Sequence, residues 1–323
     1  MLNSLKSFLN HPLYDYDKQK SNLLKAIFPF CIIVHHLAKY NLPGIGIFNW
    51  IGIWVMYLFF AMSGYGLVIS YIKKPDYING FLRRSLPKLF IPYLITFFLF
   101  VVYRYIEGVD QIELFKTKGL FSFIPTSWFI YVLALFYVFF FVVFKYVKTG
   151  IAIKVILTSA LVIAYCIVAP YIGIAHWRYD KCPAFIVGMV FALANSSIKE
   201  KFVRWHAVIG VGILLGIMNL PLGHRLDPYI YSSIMFLLMF ILQYRGGAHL
   251  SIITNFLSSI SLEMFIIQYI PIYLVMDYFV FDKSYALTGV IVAFVLILDV
   301  VLALIMHFVT RKMISRLGKK VFV

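Results

Sequence analysis

Charge is what this sequence has least of. Asp, Glu, Lys and Arg make up 13% of its 323 residues, about half the share found in a soluble globular domain. With 63% hydrophobic residues and a mean hydropathy of +0.91, a soluble chain is excluded and a bilayer is the expected solvent. Acidic residues are scarcer still, 13 against 29 Lys and Arg, which leaves a formal +16. Such an excess suggests nucleic acid in a soluble protein, but in a membrane protein it can serve orientation alone. The three cysteines, Cys31, Cys166 and Cys182, stand apart and mostly within apolar runs. They offer neither a disulfide framework nor a metal spacing and are expected to be small apolar fillers. No Gly/Ser linker, low-complexity tract or internal repeat of 20 to 50 residues breaks the chain.

What the sequence has is long apolar runs. They predict an all-α polytopic membrane protein of about ten transmembrane helices, near 23–38, 47–72, 87–105, 127–147, 151–170, 183–196, 203–220, 229–243, 252–276 and 285–309. The first run follows a polar tail, 1–21, with no small-residue cleavage site after it, so it is expected to be retained. A basic tail, 310–323, closes a single membrane domain, 1–323. The basic residues test the number ten independently, because they were not used to place the spans. With the N-terminus inside, 21 of the 29 Lys and Arg and only 4 acids fall in inner segments, while 8 basic and 7 acidic residues fall outside. This asymmetry predicts that both termini are cytoplasmic and removes the need for nucleic acid.

The informative charges are the few inside the spans. Lys25 and His36 are eleven residues apart, three helical turns, so they share one helix face about 16 Å apart along the axis. His35 points about 100° away, and Pro29 lies between Lys25 and the two histidines, so either histidine is a candidate. The bland alternative is a snorkelling topology lysine and two packed histidines. Glu263 and Asp299 also lie within spans, where an unpaired carboxylate is expensive. Glu263 is expected to orient His36 or His35, hold an acceptor hydroxyl or tie helices, and Asp299 to tie helices. His176, His206, His224, His249 and His307 are scattered without a metal spacing, and no metal is expected.

At these residues the chain resembles the integral-membrane acyltransferase family 3, whose members mostly O-acetylate surface and wall polysaccharides. The family marks its first span with an arginine, ten residues and a histidine. Lys25 to His36 keeps that spacing with lysine for arginine, retaining the charge and losing the bidentate fork. Further matches are Phe59-Phe60-Ala61-Met62-Ser63-Gly64-Tyr65, Phe81-Leu82-Arg83-Arg84 leading to Pro87 and Pro92, Trp128-Phe129 through Tyr137, and Pro183-Ala184-Phe185-Ile186-Val187-Gly188-Met189. Ser261-Leu262-Glu263-Met264-Phe265-Ile266-Ile267-Gln268 is similar to the family's late serine motif, with Gln268 where histidine is usual. The extra soluble hydrolase-like domain of some members has no counterpart here.

The resemblance implies an O-acetyltransferase in a bacterial plasma or inner membrane, with acyl-CoA as co-substrate and no permanently bound cofactor. It implies His36 or His35, with Glu263, as the catalytic groups, and Lys25, Arg83 and Arg84 as the cradle for CoA phosphates. Ser63, Tyr65, Trp128, Arg178 and Gln268 are the implied acceptor contacts, the acceptor being a glycan or lipid-linked saccharide. Plain topology serves equally for Arg83 and Arg84, interface anchoring for Trp128, and pairing with Asp180 for Arg178. The rival function is a transporter or flippase using the same buried charges, although the Pro and Gly residues do not pair between two halves as a broken-helix transporter's do.

Overall fold

The computed structural model describes residues 18–110, 113, 123–197, 248–278 and 284–321. Among these every regular element is helical, as apolar runs require where no water is present to satisfy the backbone. The main helices are α1 (Lys18–Ala38), α2 (Ile51–Lys73), α3 (Phe81–Ile106), α4 (Ser127–Tyr146), α5 (Ile151–Tyr171), α6 (Pro183–Ser197), α7 (Ala248–Ser259), α8 (Ser261–Ile267), α9 (Tyr269–Tyr278) and α10 (Tyr285–Val321). Six stretches of the described residues are long and apolar enough to cross a bilayer: Ser21–Ala38, Gly46–Lys73, Phe81–Ile106, Ser127–Tyr146, Ile151–Tyr171 and Leu287–Arg316.

The expected spans near 203–220 and 229–243, with most of the polar tail 1–21, lie outside the described residues. The sixth, expected near 183–196, is the helix α6, described from Pro183 to Ser197. One other expectation changes. The ninth, expected as one helix over 252–276, is three pieces, α7, α8 and α9, interrupted at Ile260 and Gln268. Hydropathy runs unbroken through both joints, but Pro271 has no N–H to give the Ile267 carbonyl and crowds it, which opens the helix one turn upstream. Beside this joint Thr126 donates its hydroxyl to the Ile266 carbonyl, 3.2 Å away and buried. The tail expected from 310 is the continuation of α10, a 37-residue helix.

The chain divides into two compact units. One comprises Met1–Leu24, Ile53–Ile78 and Val143–Asn255. In it α2 and α6 cross at glycine: a Cβ on Gly188 would fall on the Ala61 carbonyl and one on Gly64 on the Phe185 carbonyl, so the two backbones touch. Close approach through small residues is how helices associate where lipid removes the hydrophobic drive. α5 packs on α6 and turns Ile156, Ile163 and Ile167 outward, a face suited to acyl chains. Its one buried cation, Lys154, donates to the Tyr71 hydroxyl at 2.9 Å and the Phe144 carbonyl at 3.1 Å.

The other unit comprises Lys25–Gly52, Asn79–Val142 and Phe256–Val323. α10 packs along α3, α8 and α9, and Ile33, Leu37, Leu42, Ile272, Val275, Ile291 and Val295 form a core joining α1, α9 and α10. This core holds the end of α1, and with it both histidines, against α9.

Candidate functional site

α1 continues through Pro29, so Lys25 and His36 do keep one helix. Lys25 is exposed. The histidines sit in the last turn, three turns beyond Lys25.

The structure distinguishes the two imidazoles. His36 is half-buried and meets the hydroxyl of Tyr269, 3.0 Å from Nδ1 and 3.3 Å from Nε2. The hydroxyl engages one ring nitrogen at a time, and the tautomer sets which group donates. Tyr269 is the first residue of α9, so the joint at Gln268 is what aims it. His35 is buried behind His36, edge-on to it with ring centroids 5.0 Å apart. On its far side lies Gly52, where an added Cβ would stand 2.5 Å from His35 Cδ2 and 2.6 Å from its Cγ. Only glycine admits the ring at that distance.

Glu263 does not reach either of these histidines. Its carboxylate is buried and accepts from His307 Nδ1 at 2.8 Å, joining α8 to α10. Gln268 is fully buried; its Nε2 donates to the Phe265 carbonyl at 2.8 Å, and its Oε1 has no hydrogen-bond partner among the described residues. Asp299, expected to tie helices, is fully buried with neither carboxyl oxygen partnered among those residues.

Arg83 and Arg84 are exposed in the first turn of α3. Arg84 donates to the Asn79 carbonyl at 2.7 Å, and Gly80 before them takes a left-handed φ of 67° with no side-chain cap on the helix. Uncapped N–H groups, arginines and the positive helix end together favour anions. Trp128 opens α4, edge-on to Phe129 at 6.1 Å, and Phe129 meets Phe265 of α8.

The remaining candidates belong to the other unit. Ser63 donates back to the Phe59 carbonyl at 2.8 Å. Tyr65 is buried and packs near Phe191, with ring centroids 6.1 Å apart. Both therefore stand beside the α2–α6 crossing. Arg178 lies over the Trp177 ring at 4.7 Å, and burial holds its guanidinium below the usual range. Asp180, its expected partner, pairs with Lys181 at 2.7 Å. Among the described residues no three His, Cys, Asp or Glu side chains gather as a metal site would need.

A second group of side chains continues from Tyr269. Tyr273, one turn on, lies 5.5 Å from it ring to ring and runs nearly parallel to Tyr103 of α3, 6.2 Å away at 13°. The Arg104 guanidinium lies 4.7 Å from the Tyr273 ring and 5.2 Å from Phe100. Tyr103 donates to Asp277 Oδ2 at 3.0 Å, and Tyr278 donates to Glu107. Burial, with Tyr273 and Asp277 beside it, pushes the Tyr40 phenol up to about 12. None of these residues stood out in the sequence. The usable signal was the spacing 269, 273, 277, one polar stripe on a helix face.

A family model described as an acyltransferase domain matches residues 19–308 of the chain. No curated protein and no solved structure matches it.

Proposed function

The chain belongs to the acyltransferase family 3, and from that premise we propose that it carries an acyl group, acetyl before longer chains, from cytoplasmic acyl-CoA to a hydroxyl of a surface glycan or lipid-linked saccharide. The observation that carries this reading is His36, half-buried and held by the Tyr269 hydroxyl at 3.0 Å. With its N–H donated to the Tyr269 oxygen, the imidazole has its other nitrogen left to take a proton. In the proposed step the acceptor oxygen attacks the thioester carbonyl carbon as His36 removes its proton. The C–S bond then breaks, and the CoA thiolate recovers the proton from the imidazolium. A positioned base of this kind contributes about 10²- to 10⁴-fold in rate.

Lys25, Arg83 and Arg84 suit the donor's phosphates, and the cation of Lys25 on the same helix as His36 gives the axis along which a thin pantetheine arm would extend, about 16 Å. The interrupted segment α7–α9 is a feature transporters share, but the family match places transfer chemistry ahead of transport.

The test is thiol release from acetyl-CoA and longer acyl-CoA by the purified chain in lipid nanodiscs, together with mass spectrometry of surface-glycan esters in cells with and without the gene. His36→Ala is expected to abolish both signals. Thiol release and ester content that survive this change would remove the basis of the reading.

A further inference from the structure

The groups leading away from His36 form a line of unlike chemistry. His36, Tyr269, Tyr273, Tyr40 and Arg104 are half-buried and Asp277 is exposed, so the line opens outward rather than closing into the core. Two features make it unlike an ordinary aromatic girdle. The Tyr103 and Tyr273 rings run parallel with a guanidinium beside them, and each of two carboxylates, on Asp277 and Glu107, takes one phenol donor among the described residues. A carboxylate has about four acceptor sites, so both retain capacity for further donors. Ring faces flanked by carboxylates and a guanidinium recognise a molecule with apolar C–H faces and a rim of hydroxyls. Among the described residues the charged groups meeting these rings and phenols are Arg104 and the carboxylates of Asp277 and Glu107. An anionic ligand would therefore meet two carboxylates against one guanidinium.

Resting on the acyl-transfer reading, we propose that Tyr273, Arg104, Asp277 and Glu107 form the acceptor subsite, which binds an uncharged saccharide ring and presents one of its hydroxyls to His36 past Tyr269. The subsite lies on α3 and α9, at the C-terminal end of α1, so donor phosphates at Lys25 and the acceptor approach His36 from opposite directions along the helix.

The experiment compares two reactions of the full chain: thiol release from acetyl-CoA with water as acceptor, measured on purified protein, and ester content of the surface glycan, measured in cells by alkaline release. Asp277→Asn changes one exposed atom, and Tyr273→Leu removes a ring. For both, the ratio of glycan ester to thiol release is expected to fall at least tenfold, and mass spectrometry of wild-type glycan is expected to place the esters on uncharged sugar residues. If Asp277→Asn lowers both reactions in proportion, the cluster serves donor chemistry and the proposal fails. It fails also if both variants keep the wild-type ratio, or if the esters sit on uronate or other anionic residues. Absence of thiol release by the wild-type chain would overturn the acyl-transfer reading itself, a result distinct from all of these.

Discussion

Gly52→Ala tests whether the packing behind the histidines sets the activity. The added methyl would lie 2.5 Å from His35 Cδ2 and 3.0 Å from its Nε2, whereas ordinary contact begins at 3.4 Å. The ring or the start of α2 must therefore move by roughly 1 Å. His35 is buried with the His36 ring beside it, centroids 5.0 Å apart, so a displacement passed to His36 opens its 3.0 Å contact with Tyr269. A catalytic group misplaced by 1 Å costs about 10²-fold in turnover. The expected result is a kcat for thiol release reduced to about a hundredth, with KM for acyl-CoA little changed. Gly46→Ala is the control, since nothing lies within 4 Å of its added methyl. Combining Gly52→Ala with His35→Ala separates the routes: if the clash acts through the ring, the double variant should match His35→Ala alone. A folded Gly52→Ala protein with turnover within twofold of wild type would refute the argument.

Three further outcomes are expected. Tyr269→Phe removes one hydrogen bond worth about 1 kcal/mol and its hold on His36, so kcat should fall about tenfold while the thermal midpoint in detergent drops by no more than about 2 °C; a fall confined to KM would point to substrate binding instead. Glu263→Ala removes the partner of the half-buried His307 and should destabilise by about 1–2 kcal/mol, as losing a hydrogen bond to a charged group does, and the Glu263→Ala/His307→Ala double variant should be no worse than the first; additive losses in thermal unfolding would show that the pair is not a unit. Arg83→Ala with Arg84→Ala should raise KM for acyl-CoA about tenfold and leave kcat within twofold, because contacts to phosphates far from the thioester bind substrate and transition state alike; an unchanged KM would leave these arginines to topology.

Apolar run length was legible from sequence because it depends on composition alone: the expected 47–72, 127–147 and 151–170 correspond to α2, α4 and α5 within a few residues. The joints at Ile260 and Gln268 were not, since hydropathy is blind to a missing N–H, and Pro271 was the one local sign. The Lys25 to His36 spacing foretold a shared helix and left the histidines undecided. What sets the two rings apart in the structure is Tyr269 and Gly52, residues distant in sequence that nothing in α1 could announce. The motif glycines Gly64 and Gly188 were visible as a resemblance, but their reason, two backbones in contact, exists only in three dimensions. Glu263 was rightly read as needing a partner, and the partner is His307, one of several scattered histidines with no spacing to mark it.

The outward face of α5 also has a thermodynamic reading. Ile156 and Ile167 are 64% and 58% exposed, so much of what holds this helix is lipid rather than protein, and the bilayer acts on it as a bound ligand acts on a receptor. Its anchors within the protein are α6 and the bonds of Lys154. Stripping lipid during purification would then lower the stability of α5 before that of the core around Ile33 and Ile272, and adding lipid back would restore it. For this helix the surrounding membrane, as much as the sequence, fixes how firmly the fold is held.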